Sequence, residues 1–332
     1  MERRIMKAIQ VKETGSYEVL RYVDVDTPTP GAGQVLIRAE SISVNYADVM
    51  VRKGTYPVMP PLPAIPGMEL SGHVEALGEG VTGVQPGQRV IVMGERCYAE
   101  YVVTDAASLI PCPDAVDMDA AAALPVNYLT AYHLLHTMGQ VKPGQNVLAH
   151  AAAGGVGTAL IQLAKLVGIT LIGLTSTDEK ASYAREQGID HVINYSTEKV
   201  VERVREITGD RGVDLILNSV AGRTFRDDFA MLAPLGQIIW FGMAGGTPRV
   251  KFFEQFLTHF GKGVGLRVFH LFFSVALPYP KLMVSSIAAV VRHLEEKKIA
   301  PVIHERIPLR EAARAHELLE SRRVMGKLIL KP

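Results

Sequence analysis

Cysteine is nearly absent from this sequence, with Cys97 and Cys112 the only two among 332 residues. Two isolated thiols build neither a disulfide framework nor a four-cysteine zinc lobe, so a reducing compartment is expected and stability must come from a buried core. An excess of either charge is missing as well. With 35 Lys plus Arg against 34 Asp plus Glu, no global field favours nucleic acid or an anionic membrane. Long apolar runs are lacking: the most apolar stretch, Val268 to Pro280, is shorter than the roughly 20 residues a bilayer span needs. The start, Met1-Glu2-Arg3-Arg4 before a strand-like Met6 to Val11, has no apolar core of a signal peptide, and a cytoplasmic location is the expectation.

What is present is ample apolar content, 48% of residues, enough for two domains or one large one. Residues 1–125 read as an irregular β domain. Short strands at Gln34 to Arg38, Gly72 to Leu77 and Arg89 to Met93 are set apart by Pro28-Thr29-Pro30-Gly31, Pro60-Pro61-Leu62-Pro63 and Pro86-Gly87. An alanine-rich helical stretch, Ala120 to Leu135, bridges to residues 126–270, where strands and helices alternate. Residues 271–332 carry a long helix, Leu282 to Lys297, and a closing strand, Gly326 to Leu330. This interval is too small to stand alone and is expected to pack back on the first domain.

The middle region is organised around Asn146 to Gly157. Val147 to Ala149 form a short strand, small residues fill a bend, and a helix follows with Val156, Leu160, Leu163, Ala164 and Val167 on its inner face. A dinucleotide pyrophosphate needs backbone N–H groups at a helix N-terminus and no Cβ atoms in its way, which makes Ala153, Gly154, Gly155, Val156 and Gly157 candidate cofactor contacts. Ala152 stands where the usual fingerprint has its first Gly. Further strands are expected at Thr170 to Leu174, His191 to Tyr195, Val213 to Leu217 and Gln237 to Phe241, with helices near 178–187, 198–208 and 223–233 between them. That alternation predicts an α/β fold with a doubly wound parallel Rossmann sheet.

The end of the second strand bears on the choice of dinucleotide. An NAD site places Asp or Glu there for the ribose hydroxyl, whereas this chain has Thr175-Ser176-Thr177 and then Lys180. Ser176 and Lys180 suit a 2′-phosphate, and NADPH is the expected cofactor. Asp178 and Glu179 count against that reading, but acids in a first helical turn are ordinary cap and dipole residues.

Several motifs occur together and in order: Asn45-Tyr46-Ala47-Asp48, Arg52-Lys53-Gly54-Thr55-Tyr56-Pro57, Pro66-Gly67-Met68-Glu69-Leu70-Ser71-Gly72, Tyr98-Ala99-Glu100-Tyr101, Ala151 to Gly157, and Ala315-His316-Glu317-Leu318-Leu319-Glu320-Ser321-Arg322. Over nearly the whole chain this combination resembles the quinone oxidoreductase branch of the medium-chain dehydrogenases/reductases, zeta-crystallin-like and similar also to the vesicle amine transport type proteins. The resemblance implies a GroES-like β-rich catalytic domain split around a Rossmann NADP-binding domain. Zinc-dependent relatives carry Cys near Asn45 and His before Glu69. Here Asn45 and Met68 stand at those places, and no metal is expected.

Without zinc, the chemistry the resemblance implies is hydride delivery from NADPH to a small quinone or an α,β-unsaturated carbonyl. Tyr56 is the candidate hydrogen-bond or proton donor, against the alternative that a Tyr before Pro merely packs. By the same resemblance Asn45 and Thr130 meet the nicotinamide end of the cofactor. Tyr195 meets the adenine or the 2′-phosphate, Asn218, Ser219, Phe241 and Gly242 border the ligand crevice, and Arg322 meets a phosphate. Asn45 has the competing role of helix cap. Some bacterial members have a second tyrosine where Met50 stands, so the acceptor pocket need not be theirs. Val268 to Pro280 serves as pocket lining, dimer surface, membrane-surface patch or plain core. An apolar edge strand at Gly265 to Phe269, followed by Phe272 and Phe273, points to a twofold homodimer. An NADPH-binding protein of little catalytic power, acting as a stress, lens-type or membrane-trafficking partner, is the alternative function.

Overall fold

A computed structural model describes residues 4–332; Met1, Glu2 and Arg3, which carry most of the leader reading, lie outside the described residues. The chain forms two compact units. One runs through Val126 and resumes at Leu294–Pro332, and the other is Asn127–His293.

In the first unit, β-branched residues alternate along Gln34–Val44, the longest strand, which pairs antiparallel with Glu69–Leu77 on one side and Lys327–Lys331 on the other. Further out lie Arg89–Met93 and Ile110–Pro111 at one edge and Ile303–Pro308 at the other, with Tyr101–Asp105 also on the central strand. Register irregularities at Leu36–Ile37 and Ala39–Ser41 interrupt the alternation, yet residues from both sides of them enter one core, in which Ile37, Ile42, Leu70, Val90, Leu328 and Leu330 are fully buried. The register sets the local chemistry. Leu328 faces Val44 and Leu70 faces Ile42, so the residues flanking these pairs, Lys327, Asn45 and Glu69, come together.

The second unit is a six-stranded, all-parallel sheet. Its order is His191–Asn194, Thr170–Thr175, Asn146–Ala149, Val213–Asn218, Leu232–Trp240, Gly265–Val268. The near-continuous apolar runs fit strands covered on both faces, and Leu148, Ile172, Ile193, Ile216 and Ile238 are wholly buried. This is the doubly wound sheet expected from the alternation.

Four details depart from the sequence reading. The stretch from Ala120 is two helices, Met118–Ala122 and Pro125–His133, because Pro125 has no N–H to continue the first and instead opens the second. The strand expected from Gln237 already begins at Leu232, directly after the helix Phe225–Met231. On the first helix of the sheet, Gly155–Val167, Leu160, Leu163 and Ala164 are buried while Val156 and Val167 are only half-buried. Finally, residues 271–293 stay with the second unit: in the helix Pro280–Glu295, Ser286 Oγ lies 3.0 Å from His133 Nε2.

The apolar stretch after the edge strand divides between two fates. Phe269, Leu271 and Val275 are buried, whereas Phe273, Leu277 and Tyr279 are exposed. Among the described residues no helix is long and apolar enough to cross a membrane.

Candidate functional site

The second unit brings the carboxyl ends of three strands around one loop. After Asn146–Ala149 the chain turns through Ala151, whose positive φ of 53° is unusual for a residue with a Cβ, and Gly154 caps the helix Gly155–Val167. The loop is tied down by its neighbours: His150 N–H donates to the Leu217 carbonyl at 3.0 Å and Ala152 N–H to that of Leu174 at 3.1 Å. Gly157 has a packing reason. A Cβ there would lie 2.5 Å from the Ala151 carbonyl oxygen and closer still to that of Ala152, so only glycine lets the helix seat on the turn. Gly155 differs, since a Cβ would meet the side-chain amide of Asn127, a buried residue one helix earlier.

Asn218, Ser219, Phe241 and Gly242 gather at adjoining strand ends, with Phe241 N–H donating to the Asn218 carbonyl at 2.9 Å. The side chain of Asn218 is committed to the protein. Its Oδ1 accepts from Val220 N–H at 2.9 Å and Ala221 N–H at 2.8 Å, and its Nδ2 donates to Asp228 at 2.5 Å and Thr224 at 2.7 Å. Two donors and two acceptor positions are all that an amide has. Asp228, fully buried, also meets His150 Nε2 at 2.7 Å.

At the tip of Thr170–Thr175 one of the two acids, Asp178, is engaged elsewhere. Thr177 caps the next helix by accepting from Lys180 N–H at 3.2 Å. Asp178 accepts from Asn194 Nδ2 at 2.8 Å, so its carboxylate is turned to the neighbouring strand end. Ser176 lies half-buried, its carbonyl bonded by Ser196 Oγ at 2.8 Å, and Tyr195 is exposed beside it. Lys180 is half-buried, and Thr130, on the helix Pro125–His133, is buried.

The first unit holds a buried polar cluster. Asn45 Nδ2 donates to Glu69 Oε1 at 2.8 Å, while Lys327 Nζ donates to Asn45 Oδ1 at 2.6 Å and to Glu69 Oε1 at 2.8 Å. The second Glu69 oxygen accepts from Val126 N–H at 2.7 Å. Asn45 also caps the helix Tyr46–Lys53, its own N–H donating to Asp48 at 2.8 Å, which is the cap role weighed above. Asp48 is fully buried, and that burial pushes its carboxyl up to about 7. Tyr98 hydroxyl lies 3.1 Å from Asp48 and 3.2 Å from His316 Nε2. Tyr56 is half-buried, and burial, then the charge of Asp48, pushes its phenol up to about 12. A phenol so placed keeps its proton at neutral pH. Arg322 is exposed on this unit, at a φ of 56° just beyond the helix Ala312–Glu320.

Residues 31–114 match the alcohol dehydrogenase GroES-like domain, and residues 155–270 match the family described as zinc-binding dehydrogenase. The quinone oxidoreductase of Pseudomonas aeruginosa is 35% identical over 98% of this chain and 99% of its own length. The synaptic vesicle membrane protein VAT-1 homologue of rat is 34% identical over 92% of this chain and 78% of its own length. Among solved structures, a mycobacterial protein complexed with NADPH superposes with a TM-score of 0.91 at 36% identity, covering 98% of this chain and 100% of that one. The chain belongs to the quinone oxidoreductase branch of the zinc-independent medium-chain dehydrogenases/reductases.

In this branch member the first unit is the GroES-like domain and the second the Rossmann domain. Its residues do not fit a catalytic zinc. Met68 and the amide of Asn45 replace the expected donors, and the Lys327 ammonium already lies against Asn45 and Glu69. Among the described residues no group of three His, Cys, Asp or Glu is placed to hold a metal ion. Sequence reasoning missed Lys327, Asn127 and the His150–Asp228 pair. Asn127 carries a faint local signal, standing three residues before Thr130 on one helix face. Lys327 carries none, because its partners lie far away in the chain.

Proposed function

We propose that this chain is an NADPH-dependent, zinc-independent reductase acting on a small quinone or α,β-unsaturated carbonyl. The observation that carries the cofactor choice is the Thr175 strand end: Asp178 is bonded to Asn194, and Ser176 and Lys180 are residue types suited to a 2′-phosphate. The quinone oxidoreductase relatives and the NADPH complex of a structural neighbour support the same reading. The backbone of Ala153, Gly154, Gly155, Val156 and Gly157 would hold the pyrophosphate at a helix N-terminus. Tyr195 would cover the adenine end, Ser219, Phe241, Gly242, Thr130 and Asn45 would meet the nicotinamide end, and Arg322 would meet a phosphate. When bound, NADPH supplies the hydride. The protein's own share is to align the acceptor, exclude water and offer a donor, Tyr56 among the candidates, to the oxygen that gains charge.

Calorimetry tests the cofactor choice. NADPH is expected to bind at least roughly tenfold more tightly than NADH, a difference of about 1.4 kcal/mol, and Lys180→Ala should weaken NADPH alone. Arg322→Gly should also weaken NADPH while raising stability by about 1 kcal/mol, since glycine adopts that left-handed backbone without penalty. Equal affinities in the wild type would refute the assignment.

We further propose a homodimer joined at the edge strand Gly265–Val268, supported by the exposure of Val268 at 64% and of Phe273 at 46%. Phe269, by contrast, is already buried within its own chain. Sedimentation should give a dimer that Val268→Asp dissociates; a persistent monomer at high concentration would rule the contact out.

A further inference from the structure

The buried cluster around Asn45 fixes more than a helix end. Lys327 has only donors and ionised Glu69 only acceptors, so the bonds to Lys327 Nζ at 2.6 Å and to Glu69 Oε1 at 2.8 Å determine which way the Asn45 amide faces. Its carbonyl oxygen lies on the ammonium and one N–H on the carboxylate. That leaves one N–H of the amide for a ligand, and a group that approaches it must be an acceptor. The ammonium on the carbonyl draws electron density from the amide and makes this N–H the better donor. Glu69 opposes that effect only partly. Its charge is shared among Lys327, Asn45 and the Val126 N–H in the first turn of the helix Pro125–His133, where the helix end is itself electropositive. Lys327 and Glu69 are 4% and 0% exposed, so solvent does little to screen the arrangement.

We propose that Lys327 and Glu69 are positioning residues that aim and polarise Asn45, and that the remaining Asn45 N–H is the hydrogen-bond donor to the acceptor's carbonyl oxygen. This rests on the reductase reading and assigns its oxyanion donor. Hydride from the dinucleotide, which is thereby oxidised, adds to the conjugated acceptor, the electron pair moves to the oxygen, Asn45 stabilises the charge there, and a proton from water completes the reduction. Tyr56 is then secondary. The arrangement supplies electrostatically part of what a metal ion supplies in zinc-dependent relatives, with an ammonium acting through an amide.

The test separates chemistry from cofactor binding in the full-length protein, using duroquinone-type and enone acceptors with NADPH, and NADPH affinity read by fluorescence. Asn45→Ala, which leaves the Lys327–Glu69 pair intact, should lower kcat by roughly 10²-fold, a loss well beyond any weakening of NADPH binding, with KM for the acceptor little changed. Lys327→Arg, which keeps the charge and donors, should retain most of kcat. The double variant Lys327→Met with Glu69→Gln, which removes both buried charges, should fold and lose kcat as Asn45→Ala does. An Asn45→Ala protein with unchanged kcat would overturn the proposal, as would one whose defect lies wholly in NADPH affinity, because Asn45 would then be a cofactor contact alone. A wild type that turns over no acceptor would instead sink the reductase reading and this assignment with it.

Discussion

Lys327→Met alone is expected to destabilise the protein by about 3–5 kcal/mol. The substitution removes the ammonium from Glu69 Oε1 and Asn45 Oδ1, both 2.6–2.8 Å away, and leaves a fully buried carboxylate without its counter-charge. Burying an unpaired charge is costly, whereas removing both charges often is not. The companion Glu69→Gln should therefore recover most of the loss, since a glutamine oxygen can still accept from Val126 N–H, bonded at 2.7 Å in the native protein. Chemical denaturation of the two single variants and the double variant measures the coupling directly. Additive losses would mean that the two groups do not act as a pair.

Gly157→Ala should have the second largest effect, destabilising by about 1–3 kcal/mol as overpacked sites do and lowering NADPH affinity more than roughly tenfold. The added methyl would stand 2.5 Å from one backbone oxygen, and backbone cannot swing away as a side chain can. The loop must then lift from the helix that organises it. Gly155→Ala is the control, because its Cβ meets the Asn127 amide, which can rotate; its stability should change by under about 1 kcal/mol. Thermal unfolding and NADPH titration of both variants check this, and a Gly157→Ala protein as stable as the wild type would contradict the packing argument.

The parallel sheet was legible because its strands are short apolar runs bounded by turn residues, and Thr170–Thr175 and Val213–Asn218 each ended within one residue of the expected place. Boundaries failed where a neighbour overrides local pattern. Leu232–Trp240 runs on past Pro234 and Gly236, residues that read locally as a break. The glycine-rich loop was legible as a motif, yet the reason for Gly157 was not: it depends on how closely the helix sits on the turn. Asn218 was expected by resemblance to border the ligand crevice; that its amide is committed to Asp228 and Thr224 could not be read from the sequence, because these partners meet it only after folding. The Asn45–Lys327 contact spans 282 residues of sequence. It follows from the pairing of Leu328 with Val44, and register between distant strands is not encoded in any window of the chain.

The reductase assignment is tested by following NADPH oxidation on addition of a panel of quinones and enones, with NADPH binding to the same preparation measured in parallel. NADPH is expected to bind, at least one class of acceptor to drive its oxidation, and the rate to survive strong chelators. Tight NADPH binding with no turnover on any member of the panel would contradict it, and would make the chain a nucleotide-binding protein that has kept the fold without the reaction.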